Sequence, residues 1–205
     1  MAKGAGLYAP SPADSPDGLI LAGGRSRRMR SPQMPDIDKG LRLRHGRPLV
    51  AGVCDYLRSQ GVGQVLISTN QHLDTYRAYG QVLTDSPQWA DCGPLAGVLA
   101  GLQHSQASWV LVLPVDVLQW PRHFLAGLQA AATPRHPAYA QSNGPHPLCL
   151  LVHTGMATSL QAFLHSGQRQ VQAWLQACDA RAVLFDEPDC LVNLNTPEDW
   201  QRWAL

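Results

Sequence analysis

The stretch Leu19–Leu41, LILAGGRSRRMRSPQMPDIDKGL, changes character twice along its length. An apolar run ends in Ala22-Gly23-Gly24. Arg25, Arg27, Arg28 and Arg30 follow at once, and a polar loop with two prolines leads to Asp38-Lys39-Gly40. A short apolar run closed by glycines reads as a buried strand ending in a turn. Glycines let backbone N–H groups approach a ligand closely, and the cations neutralise its charge, so this order of residues suits a chain of phosphates. Half of the 16 Lys and Arg residues lie between Arg25 and Arg47, although the net charge is only +1. The basicity is local, which favours a site over a general polyanion-binding surface. The plain structural alternative is a strand, a glycine turn and a solvated basic loop. The stretch is not a Walker A loop, because no Gly-Lys-Ser/Thr follows the glycines, and it has no G-x-G-x-x-G dinucleotide fingerprint.

Working outward, 205 residues predict one α/β domain. Residues 1–17, with Pro10, Pro12 and Pro16 among small and polar residues, read as a disordered arm, leaving 18–205 as the folded domain. No apolar run approaches the ~18 residues of a membrane span, and no signal-peptide core follows Lys3. Cys54, Cys92, Cys149, Cys178 and Cys190 are odd in number and widely spaced. They read as reduced thiols filling small gaps in a cytoplasmic protein. The basic cluster is short and has no interleaved aromatics, which argues against nucleic acid.

A second buried strand is expected at Val65-Leu66-Ile67, a short one at Val82-Leu83, the strongest central strand at Trp109–Leu113, and the last strands at Val183-Leu184-Phe185 and Leu191-Val192. Leu41–Leu43 reads as a short edge strand. Helical spacing follows Pro48 (Leu49, Val50, Val53, Cys54, Leu57) and Gly93 (Leu95, Val98, Leu99, Leu102), and a further helix is expected over Pro121–Ala131. In an open parallel sheet, ligands bind beyond the carboxyl ends of the strands. Asn70 and Asp85 stand at such ends, where each either reads a ligand or caps the next helix. Gly93 and Gly97 of Gly93-Pro94-Leu95-Ala96-Gly97 permit a close approach at a positive helix end or tight packing on the sheet, and both can hold. Asp116 follows the strongest central strand. A lone carboxylate there is costly unless solvated, paired or metal-bound, and Mg2+ takes one or two carboxylates plus phosphate oxygens and water. Asp116 is therefore the best metal ligand in the chain. Asn143-Gly144 reads as a hairpin turn. His146 reads as a contact or a polar turn residue, and Arg169 as a solvated side chain. Asn193 and Asn195, two apart in an extended segment, face one way, and Thr196-Pro197 starts the last helix.

The pattern Leu21-Ala22-Gly23-Gly24-Arg25, Arg28-Met29 and Asp38-Lys39-Gly40-Leu41 resembles the signature of the small nucleotidyltransferases. Within them it is most similar to molybdenum cofactor guanylyltransferase. Gly93–Gly97, Pro114-Val115-Asp116, His146-Pro147 and Val192–Trp200 match further motifs of that family in the same order, so the resemblance spans nearly all of Leu19–Trp203. Two departures stand out: the Arg30–Ile37 insertion before Asp38, and Val117-Leu118 where relatives often place a proline. The resemblance implies a single three-layer Rossmann-like domain with a mostly parallel sheet. It implies GMP transfer from GTP to the phosphate of molybdopterin, with Mg2+ as cofactor on Asp116. Leu21, Ala22, Gly23, Gly24, Lys39, Asn70, Asp85, Gly93 and Asp116 then bind GTP. Arg28, Lys39 and Asp116 carry catalysis, and His146, Arg169, Asn193 and Asn195 lie toward the acceptor. Other molybdenum-cofactor proteins, apo-molybdoenzymes and their chaperones are the implied partners. Two alternatives stay open: a cytidylyl- or sugar-nucleotidyltransferase on the same fold, against whose cytidylyl form Gly23-Gly24 argues mildly, and a non-catalytic GTP-binding accessory protein.

Overall fold

Apolar residues that point to both faces of a strand are hidden from water only if layers cover both sides. The first strand, β1 (Asp17–Leu21), is buried along its whole length, with Leu19 and Leu21 in one apolar cluster and Ile20 in the other. The structure is a computed structural model that describes residues 15–23, 38–90 and 92–203. Gly24, Arg25, Arg27, Arg28, Arg30 and the Arg30–Ile37 loop lie outside the described residues, as do residues 1–14 of the expected arm. Asp17, placed in that arm by the sequence, is instead the first residue of β1. Its carboxylate is buried and accepts from Gln64, Ser105 and Gln106.

From Lys39 to Leu41 the chain makes one 3-10 turn. A two-stranded hairpin follows, β2 (Leu43–Arg44) with β3 (Arg47–Pro48), instead of the single edge strand expected at Leu41–Leu43. His45 and Gly46 close it at φ 48° and 75°, the left-handed pair that a two-residue hairpin loop requires. Then come α1 (Leu49–Ser59), β4 (Val65–Ser68), the single-turn α2 (Leu73–Tyr76), β5 (Gln81–Leu83) and α3 (Pro94–His104). β6 (Trp109–Pro114), β7 (Val117–Leu118) and α4 (Phe124–Ala131) follow. The helix expected from Pro121 starts three residues later. β8 (Ala138–Gln141) and β9 (Pro145–His153) form the expected hairpin. The chain ends with α5 (Ala157–His165), α6 (Val171–Ala177), β10 (Arg181–Leu184), β11 (Val192–Asn193) and α7 (Pro197–Trp203).

Seven strands form one sheet in the order β10-β8-β9-β6-β1-β4-β5. β1, β4, β5 and β6 are mutually parallel, and β9 alone among the seven runs against its neighbours. Side chains of α1 and α4 pack on one face, with Trp200 and Trp203 of α7 against the same cluster. Those of α3, α5 and α6 pack on the other. The fold is therefore the three-layer, mostly parallel α/β architecture expected. Chain order reverses at β1: the path runs outward through β4 and β5, then α3 carries it back to β6 on the other side of β1. Ligands in such sheets bind where that reversal opens a crevice beyond the strand ends. All five cysteines are free and buried, and no described helix is long and apolar enough to cross a membrane.

Candidate functional site

At the reversal point β1 and β6 run side by side, with Leu21 opposite Pro114 and the Val115 N–H donating to the Leu21 carbonyl at 3.1 Å. This places Ala22-Gly23 beside Val115-Asp116. The N–H groups of Ala22 and Gly23 do not face outward as the glycine argument predicted. Both donate to the Ser68 carbonyl, at 3.0 and 2.9 Å, because the β1–β4 ladder continues past the last strand residue. Leu21 and Ala22 are buried; Gly23 is exposed. What this part of the segment presents to a ligand is the surface of Gly23.

Asp116 is held on both sides. β7, which directly follows it, pairs antiparallel with β11, so that Asn193 lies opposite Val117, and the Leu194 N–H donates to the Asp116 carbonyl at 2.9 Å. The Asp116 carboxylate faces Lys39. The Lys39 Nζ donates to Asp116 Oδ2 at 2.7 Å and to Asn195 Oδ1 at 3.1 Å. The two charged side chains are only 16% and 24% exposed. Three residues chosen from three separated motifs thus converge on one point. Asn195 is presented by a reciprocal cap at the start of α7. Asp199 Oδ2 accepts from the N–H groups of Asn195 and Thr196, and the Thr196 hydroxyl accepts from the Asp199 N–H. Burial opposes ionisation of Asp199, but these hydrogen bonds, helped by the nearby Lys39 charge, hold its pKa below the ordinary carboxylate value. The Thr-x-x-Asp spacing carries this cap in the sequence.

Asn193 faces His146: its Nδ2 donates to His146 Nδ1 at 3.4 Å, and His146 Nε2 lies 2.8 Å from the Ser142 hydroxyl. A neutral imidazole carrying its proton on Nε2 satisfies both contacts, and burial pushes the His146 pKa down, in the same direction. Asn70 and Asp85 clasp each other across the ends of β4 and β5. Asn70 Nδ2 donates to Asp85 Oδ2 at 2.8 Å, and Asn70 Oδ1 accepts the Asp85 N–H at 2.9 Å. Burial raises the Asp85 pKa, with the Asn70 bond opposing. Gly93, with φ 66° and ψ −154°, precedes α3 in a conformation side chains disfavour, and open space surrounds the place a Cβ would take. Gly97 is a packing glycine: a Cβ there would strike the Ser68 hydroxyl and Leu21.

Arg169 does not join this group. Its Nη1 donates to the carbonyls of Leu164 and Gln168, both at 2.7 Å, capping the end of α5. Arg28 and Gly24 lie outside the described residues. A groove of about 450 Å3 between the β8–β9 hairpin and α6, lined by Tyr139, Pro145, Pro147, Gln172, Leu175 and Gln176, contains none of the converging residues. Among the described residues no group of three or more His, Cys, Asp or Glu side chains could hold a metal alone.

The profile of the MobA-like NTP transferase domain matches residues 18–182. The chain is 38% identical over 189 residues to the molybdenum cofactor guanylyltransferase of Serratia proteamaculans, an alignment covering 91% of this chain and 92% of that one. It is 34% identical over 192 residues to the molybdenum cofactor guanylyltransferase of Shewanella frigidimarina, covering 92% and 95%. Among solved structures, molybdopterin-guanine dinucleotide biosynthesis protein A from Archaeoglobus fulgidus superposes with a TM-score of 0.69 at 18% identity, covering 92% of this chain and 96% of that one.

Proposed function

The chain belongs to the family of MobA-like NTP transferase domains, and on that premise we propose that it transfers GMP from GTP to the phosphate of molybdopterin. It is a nucleotidyltransferase, as its curated relatives are named. A phosphate oxygen of molybdopterin attacks the α-phosphorus of GTP. The bond from that phosphorus to the β-phosphate breaks, pyrophosphate leaves with the electron pair, and molybdopterin guanine dinucleotide forms. A phosphate monoester with a second pKa of about 6 is already mostly dianionic near neutrality, so no general base is needed. The barrier lies in charge repulsion and alignment, which cations at fixed positions relieve.

The observation that carries this reading is the meeting of Lys39, Asp116 and Asn195 at the reversal point. An ammonium at 2.7 Å from a carboxylate is a cation held at the mouth of the crevice. On GTP binding, Lys39 turns to the triphosphate, where Arg28 joins it. A single, partly exposed carboxylate whose present partner is a cation suits Mg2+, which completes its shell with phosphate oxygens and water. Mg2+ bound there supplies charge neutralisation on the triphosphate. Leu21 to Gly24 back the nucleoside, with Asn70, Asp85 and Gly93 along the same rim. His146, Asn193 and Asn195 line the acceptor side. Arg169 would have to release the α5 carbonyls to meet an acceptor phosphate. The product then passes to apo-molybdoenzymes, their chaperones or other molybdenum-cofactor proteins in the cytoplasm.

The test is pyrophosphate release from GTP, CTP, ATP or UTP with Mg2+ and molybdopterin. Release with GTP alone is expected. Release with CTP overturns the base assignment. Binding of GTP without release from any nucleotide overturns catalysis and leaves an accessory protein.

A further inference from the structure

The turn that carries Lys39 is bonded to a residue outside its own motif. The turn Lys39–Leu41 is capped by Asp38, whose Oδ1 accepts the Gly40 N–H at 2.9 Å. The same oxygen accepts a hydrogen bond from the Tyr76 hydroxyl. Tyr76 ends α2 and is wholly buried. A helix of one turn has little stability of its own, so α2 is held by what its last residue is packed into. Gly40 completes the socket. A Cβ there would strike the Tyr76 hydroxyl and come within 3.0 Å of Val115, the residue before Asp116. Tyr76, the Asp38–Gly40 turn and the end of β6 are therefore packed as one unit, with no room between them for a methyl group.

We propose that Tyr76 is a positioning residue for guanylyl transfer: its hydroxyl, acting through Asp38, sets the Lys39 turn against the end of β6. The inference rests on the function proposed above for what Lys39 does once placed. Burial, together with the bond to Asp38, raises the Tyr76 pKa, so the phenol stays protonated and remains a donor. Packing alone does not account for the contact, because phenylalanine would fill the same space without ordering Asp38.

The test is steady-state GMP transfer by the full chain. Tyr76→Phe is expected to lower kcat about ten- to a hundredfold, the scale on which a misplaced catalytic group acts, with a smaller rise in KM for GTP, which Lys39 also binds. In a Lys39→Ala background the same substitution changes kcat no further, because the group it positions is gone. Asp38→Asn keeps an oxygen able to accept both bonds, so most of the turnover is retained, whereas Asp38→Ala falls with Tyr76→Phe. This second pair serves equally if Tyr76→Phe does not fold. Three results overturn the proposal: Tyr76→Phe turning over normally while Lys39→Ala is crippled, an equal loss from Tyr76→Phe with and without Lys39, or Asp38→Asn as damaged as Asp38→Ala. Full activity of Lys39→Ala, or no transfer by the unaltered chain, counts instead against the proposed function.

Discussion

Lys39→Ala separates what this lysine does for the fold from what it does for the reaction. The substitution removes the partner of Asp116 at 2.7 Å and that of Asn195 at 3.1 Å. At 16% and 24% exposure the pair lies between two limits. Exposed pairs are worth about 0–1 kcal/mol, and breaking fully buried ones costs about 3–5 kcal/mol. A loss of about 1–2 kcal/mol follows, or roughly 2–8 °C in Tm for a domain of this size. That leaves the folded population essentially complete. Turnover is expected to fall about 10²–10³-fold, the usual result of removing a preorganised charge from a transition state. A third readout needs no turnover. In the nucleotide-free protein a divalent ion at Asp116 must displace the ammonium. With the ammonium absent, Mn2+ affinity measured by electron paramagnetic resonance is expected to tighten about five- to thirtyfold, the equivalent of 1–2 kcal/mol. Turnover within about threefold of the unaltered chain, or Mn2+ affinity that does not change, refutes the assignment of Lys39 and Asp116 to one cation site.

Gly97→Ala forces α3 away from Ser68 and Leu21. It is expected to destabilise by about 1–3 kcal/mol through overpacking, despite the better helix propensity of alanine, and denaturant unfolding measures it. Asp199→Ala removes the acceptor of two N–H groups at the start of α7 and is expected to cost about 0.5–2 kcal/mol. Because the folded-state pKa of Asp199 lies below its ordinary 3.8, that contribution is complete above about pH 4–5 and is lost as pH falls through the folded value. Thermal melts of the variant and the unaltered chain should therefore converge as pH falls below 3.8. His146, with its pKa pushed below the ordinary 6.5, favours the fold while neutral. Its contribution is expected to be lost as pH falls below 6.5, and nitrogen NMR of the imidazole should show the proton on Nε2 at pH 7.

The apolar runs of β1, β4 and β6 and the helical stripes between them were legible in the sequence, since burial and element type depend on neighbours in the chain. So were the candidate polar residues, because a carboxylate or amide at the end of a buried strand needs a partner wherever the strand lies. Which partner it finds is a different matter. Lys39 meets Asp116 and Asn195, Tyr76 meets Asp38, and His146 meets Asn193 only after sheet order and register have been set. A strand was expected at Leu191-Val192, but its partner β7 is two residues long, too short to show a period, and exists because β11 supplies its hydrogen bonds. The Ala22 and Gly23 N–H groups look available in the sequence and are occupied in the fold, because the Ser68 carbonyl lies beside them. Arg169 reads in the sequence as a solvated side chain, and in the fold its guanidinium closes a helix. The sequence by itself determined the α/β class, the order of elements and the residue types that gather at the strand ends. The tertiary structure alone decided which of them meet, since contacts between distant residues follow from register and packing, which no local pattern carries.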